Sequence, residues 1–166
     1  MASNRHTLIA FVHDKPGVLS RVASLFRRRG FNIESIAVGH CEEPQFSRMT
    51  IVAAGDINQV EQVRKQLAKL IDVVRVSDIS QDSIVAREMA LIRVKTTPDT
   101  RSGIIQVVDI FRANIIDVAP DSLIVEVTGD EDKIDSLLTL LKDFGVKEVT
   151  RTGRLAMTRG MQQARE

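Results

Sequence analysis

The stretch DKPGVL, residues 14–19, combines residue types that suit the binding of a small anion. It joins a segment with strand-like alternation to one with helical apolar spacing, so its N–H groups fall at a helix N-terminus. Gly17 lets the backbone approach a ligand without a Cβ, and Pro16 stiffens the approach. A carboxylate or phosphate there would accept several hydrogen bonds and would be favoured by the helix dipole. A plain structural turn and a catalytic loop are the alternatives.

Other residues that could carry chemistry lack the spacing that a reaction or a metal needs. His13, His40 and Cys41 are candidate metal ligands, but no CxxC or HxxxH pair accompanies them. The serines of the first half lie in no GxSxG motif, and no His and acid partners follow them in order. The phosphate-binding motifs GxxxxGKS/T and GxGxxG are also absent. The sequence therefore predicts no catalytic residue and no metal site.

Composition argues against several classes of partner. The 166 residues include 23 Lys and Arg against 22 Asp and Glu, and this net charge of +1 gives no general attraction for nucleic acid or an anionic membrane. Six Phe with no Trp and no Tyr are a poor set for stacking bases. Because no apolar run reaches membrane-spanning length, we expect neither a nucleic acid nor a membrane as partner.

The compartment follows from cysteine usage and from the first residues. The single Cys41 cannot form an internal disulfide, and the start MASNRHTLIAFV lacks the long apolar core of a signal peptide. We therefore expect a reducing, cytoplasmic setting, or the plastid stroma if a transit peptide has been removed.

The first half of the chain alternates between strand and helix patterns. Residues 6–13 predict a strand, and a helix follows until Gly30 ends it. FNIESIAVGH and FSRMTIVAAG predict two strands, Asp56 caps a second helix, and residues 72–79 predict a fourth strand. The order βαββαβ is the ferredoxin-like plan, an antiparallel sheet with both helices on one face. The apolar positions expected on the helices are Val18, Leu19, Val22, Leu25 and Phe26, then Val60, Val63, Leu67 and Leu70.

The same order repeats after the polar link SQDS, residues 80–83. REMALIRVKT, NIIDVA, LIVEVTG and VKEVTRTG predict strands, GIIQVVDIFRA predicts a helix, and Asp130 opens another helix with an apolar face. Aligning LFRRRGFNIESIAV with IFRANIIDVA pairs Phe26 with Phe111 and Asn32 with Asn114, which indicates a degenerate internal repeat. We therefore predict an α+β protein of two ferredoxin-like βαββαβ domains. Residues 1–80 form the effector-binding domain, and residues 81–166 form the second domain with a basic tail.

The two predicted domains differ at the loop between the first strand and the first helix. The second copy has TPDTRSG there and lacks the tight D-x-P-G. If the loop binds a ligand, the first domain holds the site.

Several segments together carry a likeness to a known family. DKPGVLSRVASLF, GFNIESIAV, SRMTIVAAGD, QLAKLIDVVRV, REMALIRV, IFRANIIDV and the closing RTGRLAMTRG resemble the small, regulatory subunit of acetolactate synthase, also called acetohydroxyacid synthase. The likeness runs from about residue 6 to residue 160. The first half alone resembles an ACT domain, an amino-acid-sensing module.

The resemblance implies a regulatory protein without an active site of its own. Thiamine diphosphate, Mg²⁺ and FAD are then expected on a separate catalytic subunit, which joins two 2-oxo acids in branched-chain amino-acid synthesis. The small subunit is expected to bind no cofactor, to activate that catalytic subunit and to confer feedback inhibition by valine.

The resemblance also implies an effector site. Its ammonium-binding oxygens would come from Asp14 and Asn32, although the family commonly has Asn where this chain has Asp14. The implied valine-binding residues are Asp14, Lys15, Pro16, Gly17, Val18, Leu19, Asn32 and Ile33.

A second copy of the chain is a further expected partner. In the βαββαβ order, the strand within residues 31–40 lies at a sheet edge, and its apolar row would be covered by edge-to-edge pairing of two first domains. Two alternative functions remain at this stage. One is an ACT-domain regulator of another enzyme, and the other is an RNA-binding module of the RRM type, which shares the βαββαβ order.

Overall fold

The computed structural model describes residues 5–160, which divide into two compact units. The first unit contains residues up to Val85 together with residues 154–160, and the second contains Ala86–Gly153. Each unit has the predicted βαββαβ order with an antiparallel sheet, so the predicted α+β class and ferredoxin-like plan are confirmed. No helix among residues 5–160 is long and apolar enough to span a membrane.

The first unit has the strand order β2-β3-β1-β4. Leu8, Ala10 and Val12 alternate along β1 and join the apolar side chains of both helices in one core. The elements are β1 (Arg5–His13), α1 (Val18–Arg28), β2 (Asn32–His40), β3 (Phe46–Ala54), α2 (Ile57–Leu67) and β4 (Val73–Asp78).

The second unit has the equivalent strand order β6-β7-β5-β8. Its core is built in the same way, from alternate residues of β5 and β7 and from the inner faces of the two helices. The elements are β5 (Ile84–Lys95), α3 (Arg101–Ile110), β6 (Asn114–Val118), β7 (Ser122–Gly129), α4 (Glu131–Leu141), a 3₁₀ turn (Lys142–Phe144) and β8 (Val146–Arg151).

Two predicted helix starts are capped as their sequences indicated. The Asp56 carboxylate accepts a hydrogen bond from Asn58 N at 2.7 Å in a capping box with Gln59, and the Asp130 carboxylate accepts one from Lys133 N at 2.8 Å. The predicted inward positions of α1 are buried except Leu19, whose side chain is 48 % exposed.

The internal repeat is present, but one predicted pairing within it is wrong. Asn32 and Asn114 both begin the second strand of their unit, and each strand has a bulge immediately after its second residue. The counterpart of Phe26, however, is Val108: Phe31 N donates to Phe26 O and Ala113 N donates to Val108 O, each at 3.0 Å. Phe111 instead ends α3, where it is half-buried. The two turns have the same length, and the shared letters LF and IF introduced a three-residue gap that the structure does not have.

A short strand near the end of the described chain was not predicted. Leu155–Thr158 (β9) pairs with β5, whose first residues, Ile84 and Val85, belong to the first unit. Ala156 is buried, and its carbonyl accepts a hydrogen bond from Arg48 Nη2 at 2.8 Å. Residues 154–160 thus complete the first unit, whereas the sequence analysis placed them in the second domain.

Candidate functional site

The loop between β1 and α1 has the backbone that its sequence predicted. Gly17 is the N-cap residue of α1 and has φ +86°, a left-handed conformation that side-chain-bearing residues rarely adopt. A Cβ at this position would lie 3.4 Å from Arg21 Nη2. The backbone conformation therefore favours glycine here, while the contact with the guanidinium would be an ordinary one.

The N-terminus of α1 leaves backbone donors open. Arg21 N donates to Gly17 O at 3.0 Å, and Val18 N makes a long bond of 3.4 Å to Lys15 O. Within the described chain, the N–H groups of Gly17, Leu19 and Ser20 have no hydrogen-bond acceptor, and no side chain caps the helix. Unpaired N–H groups at a positive helix end are the donor set that a carboxylate or phosphate accepts from.

Charged side chains surround these donors. Arg21 forms an ion pair with Asp72, whose carboxylate is largely buried just before β4, and this pair holds a guanidinium beside Gly17. On the other side, the Asp14 carboxylate lies 3.3 Å from His40 Nδ1, and both side chains are substantially exposed. The loop thus offers a cation and N–H groups for an anion, and a carboxylate for an ammonium group.

The apolar members of the predicted site are not equivalent. Val18 is buried in the core, so its side chain cannot line a surface site within this chain. The Leu19 side chain is half-exposed beside the open N–H groups. Of the two, only Leu19 presents an apolar side chain next to the loop.

Asn32 and Ile33 lie at the other end of the sheet from the loop. Asn32 is opposite Ala54, and Ala54 is opposite Arg5 at the start of β1, whereas the loop follows His13 at the end of β1. The nine residues of β1 span about 27 Å at the usual rise of an antiparallel strand. One copy of the first unit therefore brings residues 14–19 together but keeps Asn32 and Ile33 away from them.

Comparison with known proteins places the chain in a family. Residues 8–75 match "AHAS small subunit-like ACT domain", and residues 87–160 match "Small subunit of acetolactate synthase". The probable acetolactate synthase small subunit of Archaeoglobus fulgidus is 55 % identical over 156 residues, which cover 94 % of this chain and 98 % of that protein. The chain belongs to the family of acetolactate synthase small subunits.

Two further members support this assignment. The acetolactate synthase small subunit of Bacillus subtilis is 50 % identical over 153 residues, which cover 92 % of this chain and 89 % of that protein. The crystal structure of the acetolactate synthase small subunit from Thermotoga maritima superposes with a TM-score of 0.86 at 45 % identity and covers 94 % of this chain and 98 % of that one. The likeness extends through both units.

In this small-subunit chain, the loop of the second unit is closed by its own hydrogen bonds. Thr97 N donates to Thr100 Oγ1 at 2.9 Å, and Arg101 N donates to Thr97 O at 3.0 Å. The Arg101 guanidinium is held by the carbonyls of Ala119 and Pro120. The N–H groups of Ser102 and Gly103 at the start of α3 also have no acceptor within the described chain, so the two loops differ in the D-x-P-G sequence and its left-handed glycine rather than in open donors alone.

The residues considered as metal ligands have other neighbours. The His13 ring packs on Phe46 with centroids 4.8 Å apart, His40 faces Asp14, and the Cys41 thiol contacts the carbonyls of Glu43 and Phe46. Among residues 5–160, no group of three His, Cys, Asp or Glu side chains could hold a metal ion.

Arg21 and Asp72 are the site residues that the sequence analysis missed. They are 51 positions apart, and Asp72 lies beside the loop because its carbonyl accepts a hydrogen bond from His13 N at the end of β1. No local sequence pattern marks such a pair.

Proposed function

We propose that this chain is the regulatory subunit of acetolactate synthase, which activates the catalytic subunit and makes it sensitive to valine. Membership of the small-subunit family supports the choice of enzyme. The observation that carries the choice of ligand is the open N-terminus of α1 beside Asp14, because an amino acid brings a carboxylate and an ammonium group together. Catalysis, thiamine diphosphate, Mg²⁺ and FAD are assigned to the catalytic subunit.

The effector pocket is completed by a second copy of the chain. β2 is an edge strand, and its exposed row includes Val38, which is 45 % exposed. Two β2 edges that pair antiparallel bring the Asn32 end of one strand towards the His40 end of the other, beside the partner's loop. Each of two equivalent pockets would then take residues 14–19 from one copy and Asn32 and Ile33 from the other.

Reconstitution tests this proposal. The purified chain is mixed with its cognate catalytic subunit, and acetolactate formation from pyruvate is followed with and without valine. We expect no product from the chain alone, a higher turnover from the mixture than from the catalytic subunit alone, and a fall in that turnover when valine is added. Acetolactate formed by the chain alone, or an unchanged turnover in the mixture, would reject the proposal.

A further inference from the structure

The face of the first sheet opposite its helices carries two arginines over one phenylalanine. Leu8, Ala10 and Val12 face the core, so Phe11 between them faces the other side. Phe11 is directly opposite Arg48 of β3 and Arg75 of β4. The guanidinium carbons of these arginines lie 5.3 and 4.6 Å from the centroid of the ring. We call these three side chains the Arg-Phe-Arg row.

The row carries positive charge that the described residues do not neutralise. Within residues 5–160, neither Arg48 nor Arg75 forms a salt bridge, and Arg48 donates to the carbonyl of Ala156. Burial lowers the pKa of Arg48, Glu42 raises it, and the like charge of Arg75 lowers it again. An anion placed between the two guanidiniums would relieve the repulsion and the lost hydration of Arg48.

Towards the loop, the row is flanked by aromatic side chains. His13 and Phe46 are opposite each other at the next position towards the loop, and their rings are in contact. Arg75 is exposed, whereas Phe11, His13, Phe46 and Arg48 are half-buried. The rest of this face is buried at Thr7, Ile9, Thr50 and Val52, so its accessible part is the end that carries the row. Aromatic and arginine side chains at such an accessible end are typical of the energetic centre of a protein–protein interface.

We infer that the Arg-Phe-Arg row binds an acidic side chain of the catalytic subunit. This inference rests on the function proposed above and adds the surface that meets the partner. An Asp or Glu carboxylate between two guanidiniums forms charge-assisted hydrogen bonds, and its aliphatic carbons pack on the ring. The accessible end of a sheet face suits a protein surface better than a small molecule, because small molecules bind in concave pockets.

The row is also continuous with the effector loop. Phe11 is two residues before His13, the last residue of β1, and Asp14 begins the loop. His13 N donates to Asp72 O and Asp14 N donates to Gln45 O, each at 2.8 Å, so the strand end and the loop share one hydrogen-bond network. An effector that changes the loop would act directly on the strand that carries the partner-binding ring.

Charge reversal at Arg75 tests the inference in the full chain. Arg75→Glu is compared with Arg28→Glu, which makes the same charge change at an exposed position of α1. Each chain is titrated into the catalytic subunit, and the concentration for half-maximal activation is measured. We expect Arg75→Glu to raise that concentration at least tenfold and Arg28→Glu to change it less than twofold. Lysine substitution of the contacted acidic residue on the catalytic subunit should restore activation by Arg75→Glu.

Controls separate this inference from the proposed function and from a folding defect. Valine binding by calorimetry and the melting temperature of Arg75→Glu should match the wild type, and Arg75→Gln should give a smaller shift in the same direction. A wild-type chain that fails to activate overturns both proposals, whereas Arg75→Glu that activates like the wild type overturns the inference alone.

An Arg75-dependent change in the chain's own oligomeric mass would assign the row to a second copy, and Arg75-dependent binding of a labelled RNA oligonucleotide would assign it to nucleic acid. A lowered melting temperature in both Arg75 variants would make Arg75 structural. Each of these last three results also rejects the inference.

Discussion

Replacing Gly17 with aspartate and with asparagine separates charge from shape at the effector loop. Both side chains have the same size and both tolerate the left-handed conformation better than other residues do. At φ +86°, each is expected to cost about 1–2 kcal/mol of folding free energy. The two variants therefore carry a similar strain, and Gly17→Asp adds a negative charge where the carboxylate of valine is expected.

The size of the charge effect follows from the geometry of the loop. Two carboxylates about 4 Å apart repel each other by about 1 kcal/mol in bulk water and by about 4 kcal/mol near a protein surface. These energies correspond to a loss of about 5- to 1,000-fold in affinity. Arg21 reduces this effect, because its Nη2 lies 3.4 Å from the Cβ position and can approach the new carboxylate. We therefore expect Gly17→Asp to bind valine about 5- to 70-fold more weakly than Gly17→Asn.

Calorimetric titration of valine into each full-length variant measures this ratio, and circular dichroism confirms that both are folded. The ratio should fall in high salt, because the repulsion is partly screened. Equal affinities of the two variants would show that the loop does not receive a carboxylate. Wild-type affinity in both would exclude the loop as the site.

Three other predictions test the wider argument. Asn32→Ala should weaken valine binding by about 1–3 kcal/mol. A mixed dimer of one Asn32→Ala chain and one Gly17→Asp chain should contain one wild-type site, because both substitutions then fall in the other pocket. If native mass spectrometry shows mixed dimers but no wild-type site is recovered, the pocket lies within one chain. Ala156→Asp should destabilise the first unit by about 1–3 kcal/mol through a buried charge, seen as faster amide exchange in β1 and β3, and unchanged exchange would mean that β9 does not support that sheet. Phe26→Ala should lower the free energy of unfolding by about 3–5 kcal/mol in denaturant titration, because Phe26 is 1 % exposed. Phe111→Ala should lower it by less, because Phe111 is half-buried. Equal decreases would favour the sequence alignment over the structural one.

Local patterns predicted most of the secondary structure. Alternation in residues 6–13 and the caps at Asp56 and Asp130 are signals within a few residues, and the structure places elements there with end shifts of one or two residues. β9 was missed because four residues are too few for an alternation signal, and because its hydrogen bond with Arg48 of β3 joins residues more than a hundred positions apart.

The candidate site divides in the same way. The helix start after residues 14–17 was predictable because Pro16 restricts the backbone and Gly17 permits a conformation that other residues rarely adopt. The pair of Arg21 with Asp72 was not, since it depends on how the segment before β4 lies against the end of β1 and the start of α1. The Arg-Phe-Arg row was missed for a related reason: Phe11, Arg48 and Arg75 align only once the register of three strands is known.

The return of β9 to the first unit has a consequence for synthesis on the ribosome. The residues that complete the first unit, 154–160, are made after the whole of the second unit, residues 86–153. At ordinary translation rates, this interval lasts about 3–14 s. During that time the nascent first unit lacks the carbonyl of Ala156 that holds Arg48. The surface around Arg48 therefore reaches its final form only after the last strand has emerged, and if the Arg-Phe-Arg row binds the catalytic subunit as inferred, that binding must wait until the second unit has been made.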